Sequence, residues 1–256
     1  MPAVIRPARG FTRTAILLFI LCLPSITLAG TLSIIGDGRW VSVAKVYDGD
    51  TFKTRSGEKV RLLNLNTPEI QHRDNRAQVG GNKAAFALKK LILGKQVRLS
   101  FDQEKKDRYG RTLAHVWMQD GLWVNQYMIE EGYAHVYTFE PNTRWVKKLL
   151  KAEHIAQREK RGIWATKRFK LLNSQSLSSK FIGQFRVIRG TVDSVKKWSF
   201  RTGKLYVSIA KKARKSFQKP PALHLGQTIT IRGKIRISSK GKIFLSLYSP
   251  ADLELK

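Results

Sequence analysis

The chain has 256 residues, of which 48 are Lys or Arg and only 18 are Asp or Glu, giving a formal net charge of +30. So large a positive charge predicts an anionic partner, nucleic acid first and an anionic membrane or cell-wall polymer second. The single cysteine, Cys22, excludes an intramolecular disulfide framework and a thiolate metal cluster.

Residues 1–29 have the pattern of an export signal. Three arginines precede an apolar run over 15–28, and Ala29 before Gly30 fits a small-residue cleavage site. We therefore expect an exported protein, periplasmic or secreted, with no stable membrane span once the signal is removed. An uncleaved anchor is the alternative. Cleavage would leave a chain with a net charge of +27 and no thiol.

The region 39–166 predicts a β-meander followed by helices. Strand-like segments occupy 40–47, 51–55, 59–65, 97–101 and 112–118. Helical spacing marks 82–94 with Asn82 as its cap, a short helix over 125–131, and a last helix capped by Asn142 or Thr143 that closes at Gly162. This order outlines a small closed barrel packed with helices.

The rest of the chain predicts a second, β-rich domain. Residues 167–180 contain Asn, Gln and four serines without a sustained apolar period, which is typical of a linker. Strand-like runs follow at 185–195, 204–209, 227–236 and 242–247. The segment 181–256 has 17 basic and three acidic residues.

Three of the scarce carboxylates fall in two turns separated by a strand pair: Asp48 and Asp50 in Asp-Gly-Asp-Thr, and Glu69 after Asn66-Thr67-Pro68. A hairpin would bring these turns to one end of a sheet. Such a group in a basic protein suggests a hard cation bound by oxygen ligands. By themselves, Asp-Gly and Thr-Pro are equally typical of a plain hairpin turn and a strand exit.

Arg61 lies among Val60, Leu62 and Leu63, in a strand that reads as apolar on both faces. A guanidinium there is costly unless it meets an anion. Two partners are possible: Glu69, in a purely structural role, or a phosphate, which arginine binds in bidentate fashion.

A second motif, Asp107-Arg-Tyr-Gly-Arg111, provides another arginine and the ring of Tyr109. The structural alternative is a solvated turn leading into a strand. Farther along, Tyr137 and Phe139 precede Pro141 in a loop, where exposed rings would stack on a base or sugar and buried ones would pack against the core.

Together, the two motifs resemble the staphylococcal nuclease (thermonuclease) family, over a range from about Trp40 to Trp164. The resemblance implies a β-rich α+β fold, with a five-stranded OB-type barrel and three helices. It also implies calcium-dependent hydrolysis of DNA and RNA phosphodiesters that leaves 3′-phosphates, with no small-molecule cofactor.

The resemblance assigns the metal to four positions. Asp50, the side chain of Asn66 and the carbonyl of Thr67 would bind Ca²⁺, and Asp48 would act through water. Position 66 departs from the family, which has Asp there. Because calcium affinity follows the number of charged ligands, Asn66 predicts weaker binding.

The resemblance also assigns the catalytic and substrate-binding residues. Glu69 would orient or deprotonate the attacking water, and Arg61 and Arg111 would hold the phosphate and stabilise the transition state. Arg108, Tyr109 and Tyr137 would contact the nucleotide.

The C-terminal region loosely resembles the small OB-like domain appended to some exported nucleases of this family. Its basic run is either a nucleic-acid contact or a solvated loop, and consists of Lys211, Lys212, Arg214 and Lys215. Trp198 and Tyr206 beside basic strands favour binding of single strands.

The sequence thus predicts an exported, monomeric, calcium-dependent nuclease with an auxiliary basic OB-like domain. A non-catalytic nucleic-acid-binding protein with a weakened metal site is the alternative, and a cell-envelope protein that binds anionic polymer is a third. Retention of Asp50, Arg61, Glu69 and Arg111 together favours the enzyme, since a pure binding protein has no need of Glu69 beside a bound phosphate. DNA or RNA preference and endo or exo cleavage stay open.

Overall fold

The computed structural model of the chain describes residues 38–70 and 78–255. The predicted export signal at 1–29 and most of the loop after Glu69 lie outside the described residues. Within the described part, no helix has the length and apolar character needed to cross a bilayer.

The first half of the described chain is a barrel with helices. Its elements, in chain order, are β1 (Gly38–Val46), β2 (Thr51–Thr54), β3 (Lys59–Leu62), β4 (Leu65–Asn66), α1 (Gly81–Ile92), β5 (Gln96–Ser100), β6 (Thr112–Trp117), α2 (Val124–Glu130), β7 (His135–Val136) and α3 (Val146–Arg158). Five strands close in the order β1-β2-β3-β6-β5. Only β3 and β6 pair in parallel. The predicted barrel and its three helices are confirmed.

The barrel core follows from strand alternation. Val60 and Leu62 of β3 and Ala114 and Val116 of β6 are fully buried, because alternate residues of a strand point to the same face. Arg61, between the first two, therefore points out of the barrel. Helix α1 packs on the barrel through buried residues spaced four apart, Ala84, Leu88 and Ile92, which lie on one face of the helix.

The prediction of one continuous strand over 59–65 was wrong. Asn64 adopts a left-handed backbone with φ of 60°, a conformation that asparagine tolerates better than most residues. The chain leaves the barrel there and forms β4, in which Leu65 pairs with Val136 and Asn66 pairs with His135 of β7. This break places Asn66 on a separate two-stranded ladder beside the barrel.

The predicted helix caps were also wrong, because α1 begins before Asn82 and tertiary contacts hold Asn142. Helix α1 begins at Gly81, after Gly80 with φ of 97°, and Asn82 lies inside it. Helix α3 begins after Trp145 and ends at Arg158, before Gly162. Asn142 is fully buried; its Oδ1 accepts from the Glu104 amide at 2.7 Å, and its carbonyl accepts from Asn64 Nδ2 at 2.8 Å.

The C-terminal half forms a second sheet. Its elements are β8 (Leu172–Asn173), β9 (Phe185–Lys196), β10 (Ser199–Thr202), β11 (Leu205–Ile209), α4 (Arg214–Phe217), β12 (Thr228–Lys234), β13 (Arg236–Ile237), β14 (Ile243–Leu247) and β15 (Leu253–Leu255). The described strands follow the open path β13-β14-β11-β10-β9-β12-β15, with β8 on β9.

The second sheet repeats the strand pairing of the barrel. Strands β9, β10 and β11 pair consecutively and antiparallel, β11 pairs with β14 in parallel, and β9 pairs with β12 antiparallel. In the barrel, β1, β2 and β3 pair in the same way, β3 pairs with β6 in parallel, and β1 pairs with β5 antiparallel. The predicted β-rich C-terminal unit thus has an OB-like strand order.

The segment between the two halves is packed against the protein. Residues 167–180, predicted as a linker, include β8 and bury Phe169, Ser174 and Leu177. The division of the chain into domains stays a prediction.

A buried ion-pair network joins α3 to the second sheet. Glu153 is fully buried and Arg232 is 2% exposed, and Arg232 Nη1 donates to Glu153 Oε2. The other guanidinium nitrogen donates to Glu254 Oε1 at 2.8 Å, and His154 Nε2 lies 3.1 Å from Glu254 Oε2. Glu153 Oε1 accepts the Val136 amide of β7 at 2.7 Å, so the network reaches the β4–β7 ladder.

Ring packing and a hydrogen bond reinforce the same junction. The His135 ring of β7 stacks on Phe185 of β9, with centroids 4.1 Å apart and planes 17° from parallel. Thr138 donates through its hydroxyl to Asp252 Oδ1 at 2.6 Å. The second sheet therefore contacts the element that pairs with the strand of Asn66.

We predict that Arg232→Met lowers the free energy of unfolding by about 3 kcal/mol, because it leaves Glu153 buried and uncompensated. Adding Glu153→Gln should recover most of this loss, since Gln removes the charge and keeps an acceptor for the Val136 amide. Urea unfolding measures both variants, and Arg236→Met, at an exposed cation, is the matched control. Equal stability of Arg232→Met and wild type would contradict a structural role for the pair.

Candidate active site

The Asp48–Thr51 turn connects β1 to β2 and is held by its own side chains. Asp48 Oδ1 accepts the Asp50 amide at 3.0 Å. A Cβ on Gly49 would lie 2.6 Å from the Ala84 Cβ of α1 and 2.7 Å from Thr67 Cγ2. The glycine is therefore required by close packing of this turn against α1 and the second turn.

Asp50 is the centre of the site. It is 6% exposed, and its Oδ2 accepts from both the backbone amide and the hydroxyl of Thr67, each at 3.1 Å. Oδ1 accepts the Thr51 hydroxyl at 3.0 Å. These bonds join the two turns, as the sequence predicted from the hairpin between them.

Arg61 bridges two of the predicted metal ligands. Its Nη1 lies 3.0 Å from Asp50 Oδ2, and its Nη2 donates to Asn66 Oδ1 at 3.0 Å. The anion that meets Arg61 is thus Asp50, and not the Glu69 that the sequence offered as its structural partner. The side chain is only 14% exposed, so this guanidinium is shielded and directed by its neighbours.

The oxygen atoms at this site suit a hard cation. Asp48 and Asp50 share one turn, and Asp50 is linked to Asn66 through Arg61 and to Thr67 by two hydrogen bonds. Oxygen is the ligand that calcium prefers. Asn66 Nδ2 donates to the Thr67 carbonyl at 3.1 Å, so these two oxygens already have partners within the protein. Among the described residues, no three His, Cys, Asp or Glu side chains converge into a metal-binding group.

Burial and the neighbouring carboxylate change the titration of Asp48. Burial, and after it the charge of Asp50, raise the pKa of Asp48 from 3.8 to about 6. The nearby Arg61 opposes the effect only in part. Additional positive charge at this site would therefore relieve a repulsion that the fold maintains.

Glu69 is exposed and lies two residues beyond Thr67. Its carbonyl accepts the Gln78 amide at 2.8 Å. A Cβ on Gly81 would approach that carbonyl to 2.4 Å, so the start of α1 packs directly on the backbone of Glu69. Helix α1 thereby positions both Gly49 and Glu69.

The second motif is a turn organised by Asp107. Its Oδ1 accepts the amides of Tyr109 at 2.9 Å and Arg111 at 3.0 Å, and its Oδ2 accepts Arg111 Nε at 2.7 Å. Although burial acts to raise the pKa of Asp107, the bonds from Arg111 and Tyr109 lower it below its usual value. The ion pair uses Nε and leaves the two Nη groups of Arg111 outside it. The motif includes Asp107, but the sequence analysis did not predict that Asp107 holds Arg111. The spacing of four residues between them could have indicated this ion pair.

Tyr109 and its neighbours form a positively charged hollow. Arg108 Nη2 donates to the Tyr109 hydroxyl at 2.6 Å, and the Arg108 and Arg111 guanidinium carbons lie 4.8 and 5.6 Å from the ring centroid. The ring is 68% exposed. Tyr109 and Arg111, with Lys59, Lys106 and the single carboxylate Glu58, line a cavity of about 640 Å³.

Strand register relates the two motifs. Arg61 of β3 pairs with Leu113 of β6, and Arg111 precedes Leu113 by two residues, which is roughly 7 Å along a strand. Tyr137 follows β7 directly, with its amide donating to the Asn64 carbonyl at 3.1 Å and its ring 46% exposed. Register thus places Arg111 beside the start of β3, where it lines one cavity with Lys59, and the β4–β7 ladder places Tyr137 next to Asn64.

Other predicted contact residues lie elsewhere. Lys211 and Lys212 are in a 3-10 turn, and Arg214 and Lys215 begin α4. Arg214 lies 5.0 Å from the Trp198 ring and Lys212 lies 5.1 Å from the Tyr248 ring. The contacts of these two cations are therefore with their own half of the chain.

Sequence reasoning also missed the asparagines that shape the site. Asn125 Nδ2 donates to the Leu63 carbonyl at 2.9 Å, and Asn125 Oδ1 accepts the Val116 amide at 2.8 Å. Asn64 supplies the left-handed turn described above. An asparagine inside an apolar strand pattern is the only signal of this break in the sequence.

Comparison with known proteins gives one family and several relatives. A model of the family described as "Staphylococcal nuclease homologue" matches residues 59–166. Thermonucleases of Staphylococcus hyicus and Staphylococcus intermedius are 33% and 37% identical over 126 and 125 residues, each covering 48% of this chain and 74% of the relative. An uncharacterised protein of Bacillus anthracis is 42% identical over 132 residues, which is 50% of this chain and 61% of that protein.

We predict that Asp50→Asn lowers the pKa of Asp48 in calcium-free buffer but leaves it above 3.8, because the charge repulsion is lost while burial persists. Carboxyl ¹³C NMR titration measures this, and Asp107→Asn is the control that should leave Asp48 unchanged. Since the folded pKa of Asp48 exceeds its unfolded value, its contribution to stability is present at acid pH and is lost as pH rises through about 6. An unchanged pKa of Asp48 in Asp50→Asn would contradict the repulsion between the two carboxylates.

Proposed function

Because this chain belongs to the staphylococcal nuclease family, we propose that it is a calcium-dependent nuclease that hydrolyses phosphodiester bonds of DNA, RNA or both and leaves 3′-phosphates. The observation that carries the proposal is the junction of two turns at Asp50, where acidic oxygens and the Arg61 guanidinium meet at one edge of the barrel. The thermonuclease relatives support the same reaction class.

Four residues would hold the ion: Asp50, Asn66 and the Thr67 carbonyl directly, and Asp48 through water. When bound, calcium supplies positive charge to the scissile phosphate and to the charge that grows on its oxygens. Arg61 contacts two of these oxygens, Asp50 Oδ2 and Asn66 Oδ1, each at 3.0 Å. With the ion in its place on these oxygens, the Arg61 guanidinium would be available to substrate.

Arg61 and Arg111 bind and stabilise the phosphate. A guanidinium binds two phosphate oxygens at once, and its charge stabilises the phosphate more strongly in a shielded site than in bulk water. Asp107 holds Arg111 through Nε, so the Nη pair keeps a defined direction. Arg61 is fixed by the strand that carries it.

Glu69 acts as the general base. Its carboxylate accepts a proton from the attacking water, and the new bond forms between that water oxygen and phosphorus while the bond to the 5′ oxygen breaks and that oxygen takes a proton from solvent. The backbone of Glu69 packs against Gly81, and this contact fixes the point from which the exposed side chain extends. Tyr109, Tyr137 and Arg108 contact the sugar and base of the bound nucleotide.

The protein is proposed to act outside the cytoplasm on single-stranded nucleic acid, as a monomer. The pattern of residues 1–29 supports export, and the net charge of +30 supports a polyanionic substrate.

We predict that Glu69→Gln and Arg111→Ala each lower kcat on single-stranded DNA by about a hundredfold or more, because each removes a group that acts in the transition state. Calcium should support cleavage by residues 30–256 and a chelator should abolish it. Glu159→Gln and Arg55→Ala, at exposed positions, are the matched controls and should cleave normally. Full cleavage in chelator, or by both site variants, would refute the proposed mechanism.

One observation favours a second function, that of a non-catalytic nucleic-acid-binding protein. Asn66 satisfies both ends of its amide within the protein, accepting from Arg61 and donating to Thr67. A site with its ligands so paired and one charge fewer than the family pattern binds calcium less strongly.

We predict that Asn66→Asp lowers the calcium concentration for half-maximal activity by about tenfold, which corresponds to ~1.4 kcal/mol of added attraction. The substitution adds a charge and frees the Thr67 carbonyl from the Asn66 amide. Asn66→Ala, which removes the oxygen, should lose the calcium response, and calorimetry gives calcium affinity independently of turnover. If wild type and both variants bind nucleic acid equally and none cleaves, the chain is a binding protein on a nuclease fold.

A further inference from the structure

A basic cleft lies at the junction of the two halves, and none of its lining residues belongs to the metal-ligand turns. It is a cavity of about 860 Å³ bounded by the C-terminal end of α3, the 160–171 segment, and strands β9 and β12. Its charged walls consist of Arg158, Lys160, Lys167, Lys170, Arg189 and Glu254. Five cations thus face one carboxylate.

The negative charge in the basic cleft is already neutralised. Glu254 accepts from Arg232 at 2.8 Å and lies 3.1 Å from His154 Nε2. Of the five cations, Arg158 has a carboxylate within 4 Å, that of Glu159 at 3.6 Å. In the described part of the chain, the other four form no salt bridge.

Concentrating like charges in a concave surface focuses the electrostatic potential and attracts anions. The fold keeps these cations together even though they repel one another. Their placement on three different stretches of chain, α3 and its following turn, the 167–170 segment and β9, spreads the charge along the cleft. An extended polyanion with several phosphates fits this distribution better than a single small anion.

The aromatic residues of the cleft indicate recognition of backbone and not of bases. Trp164 and Phe169 are each 8% exposed and pack edge to face, with centroids 5.8 Å apart. Their faces are therefore covered, whereas base-stacking proteins present open rings. Binding should depend on charge and be insensitive to base sequence.

The basic cleft adjoins the candidate active site through one layer of side chains. Phe169 of the cleft lies 5.7 Å from the His135 ring, and His135 pairs with Asn66 across the β4–β7 ladder. A nucleic-acid strand bound in the cleft would thus be held close to the candidate active site.

We propose that the basic cleft binds the phosphodiester backbone of single-stranded nucleic acid and retains long substrates on the enzyme. Retention of long substrates rests on the proposed nuclease function, whereas binding of the nucleic-acid backbone does not. The cleft is then the main auxiliary binding surface, in place of the Lys211–Lys215 segment that the sequence suggested. Two cations of that segment form cation–π contacts with aromatic rings of their own half of the chain.

The test compares two triple variants with equal loss of charge. Lys160→Gln, Lys167→Gln and Lys170→Gln neutralise the cleft, and Lys211→Gln, Lys212→Gln and Lys215→Gln neutralise the other segment. Substitution is preferable to truncation, because removal of the second sheet would uncover Glu153. Thermal unfolding checks that both variants remain folded.

Binding of labelled oligothymidylate is measured by fluorescence anisotropy in chelator, over a series of salt concentrations. The cleft variant should bind more weakly and lose about 2 from the slope of log affinity against log salt, at about 0.7 for each lost phosphate contact. The 211–215 variant should keep most of the wild-type slope. Equal slopes for the cleft variant and wild type, or a loss confined to the 211–215 variant, would overturn the proposal.

Two further arms separate the remaining outcomes. Vesicles of phosphatidylglycerol test for a membrane surface. If the cleft variant loses vesicle binding and keeps oligothymidylate binding, the ligand of the cleft is anionic lipid and not nucleic acid.

In cleavage assays with calcium, the cleft variant should have a higher KM for long nucleic-acid strands and an unchanged kcat on a dinucleotide. If wild type cleaves nothing, the nuclease function fails while the anisotropy result still decides the cleft.

Discussion

A buried carboxylate must have partners, and that requirement at Asp50 organises the site. Its two oxygens accept from Thr51, from the amide and hydroxyl of Thr67, and from Arg61. Leaving such a charge unpaired in the interior would cost several kcal/mol. The hairpin turn and the strand exit are therefore held against each other, and burial, with the nearby charge of Asp50 as the second cause, raises the pKa of Asp48 to about 6.

The same principle operates at the junction of the two halves. Glu153 is fully buried and is compensated by Arg232 from the second sheet and by the amide of Val136. Because Val136 belongs to the strand that pairs with β4, the C-terminal half supports the ladder that carries Asn66. The auxiliary unit is thus part of the framework of the candidate site, and the basic cleft is formed by the same contact.

Sequence patterns predicted the barrel strands and the meeting of the two turns of the first motif because these depend on local alternation and short loops. They failed where a distant residue decided the local structure. Asn142 was predicted as a helix cap but bonds Glu104 and Asn64 instead. The strand predicted over 59–65 ends at Leu62 because Asn64 turns left-handed, with φ of 60°, and β7 pairs with the residues beyond it. The partner of Arg61 was left between Glu69 and phosphate, since nothing local distinguishes Glu69 from Asp50 as its anion.

The sequence by itself determined the family resemblance, the charge and the residue types at the site, since motifs and composition are properties of adjacent residues. Only the tertiary structure decided that Arg61 bridges Asp50 and Asn66, that the predicted linker is packed against β9, and that cations from three stretches of chain face one cleft. Pairing between residues far apart in the chain depends on which surfaces become buried together. That choice is made by the whole fold, through desolvation of charges and close packing, and leaves no short-range signal in the sequence.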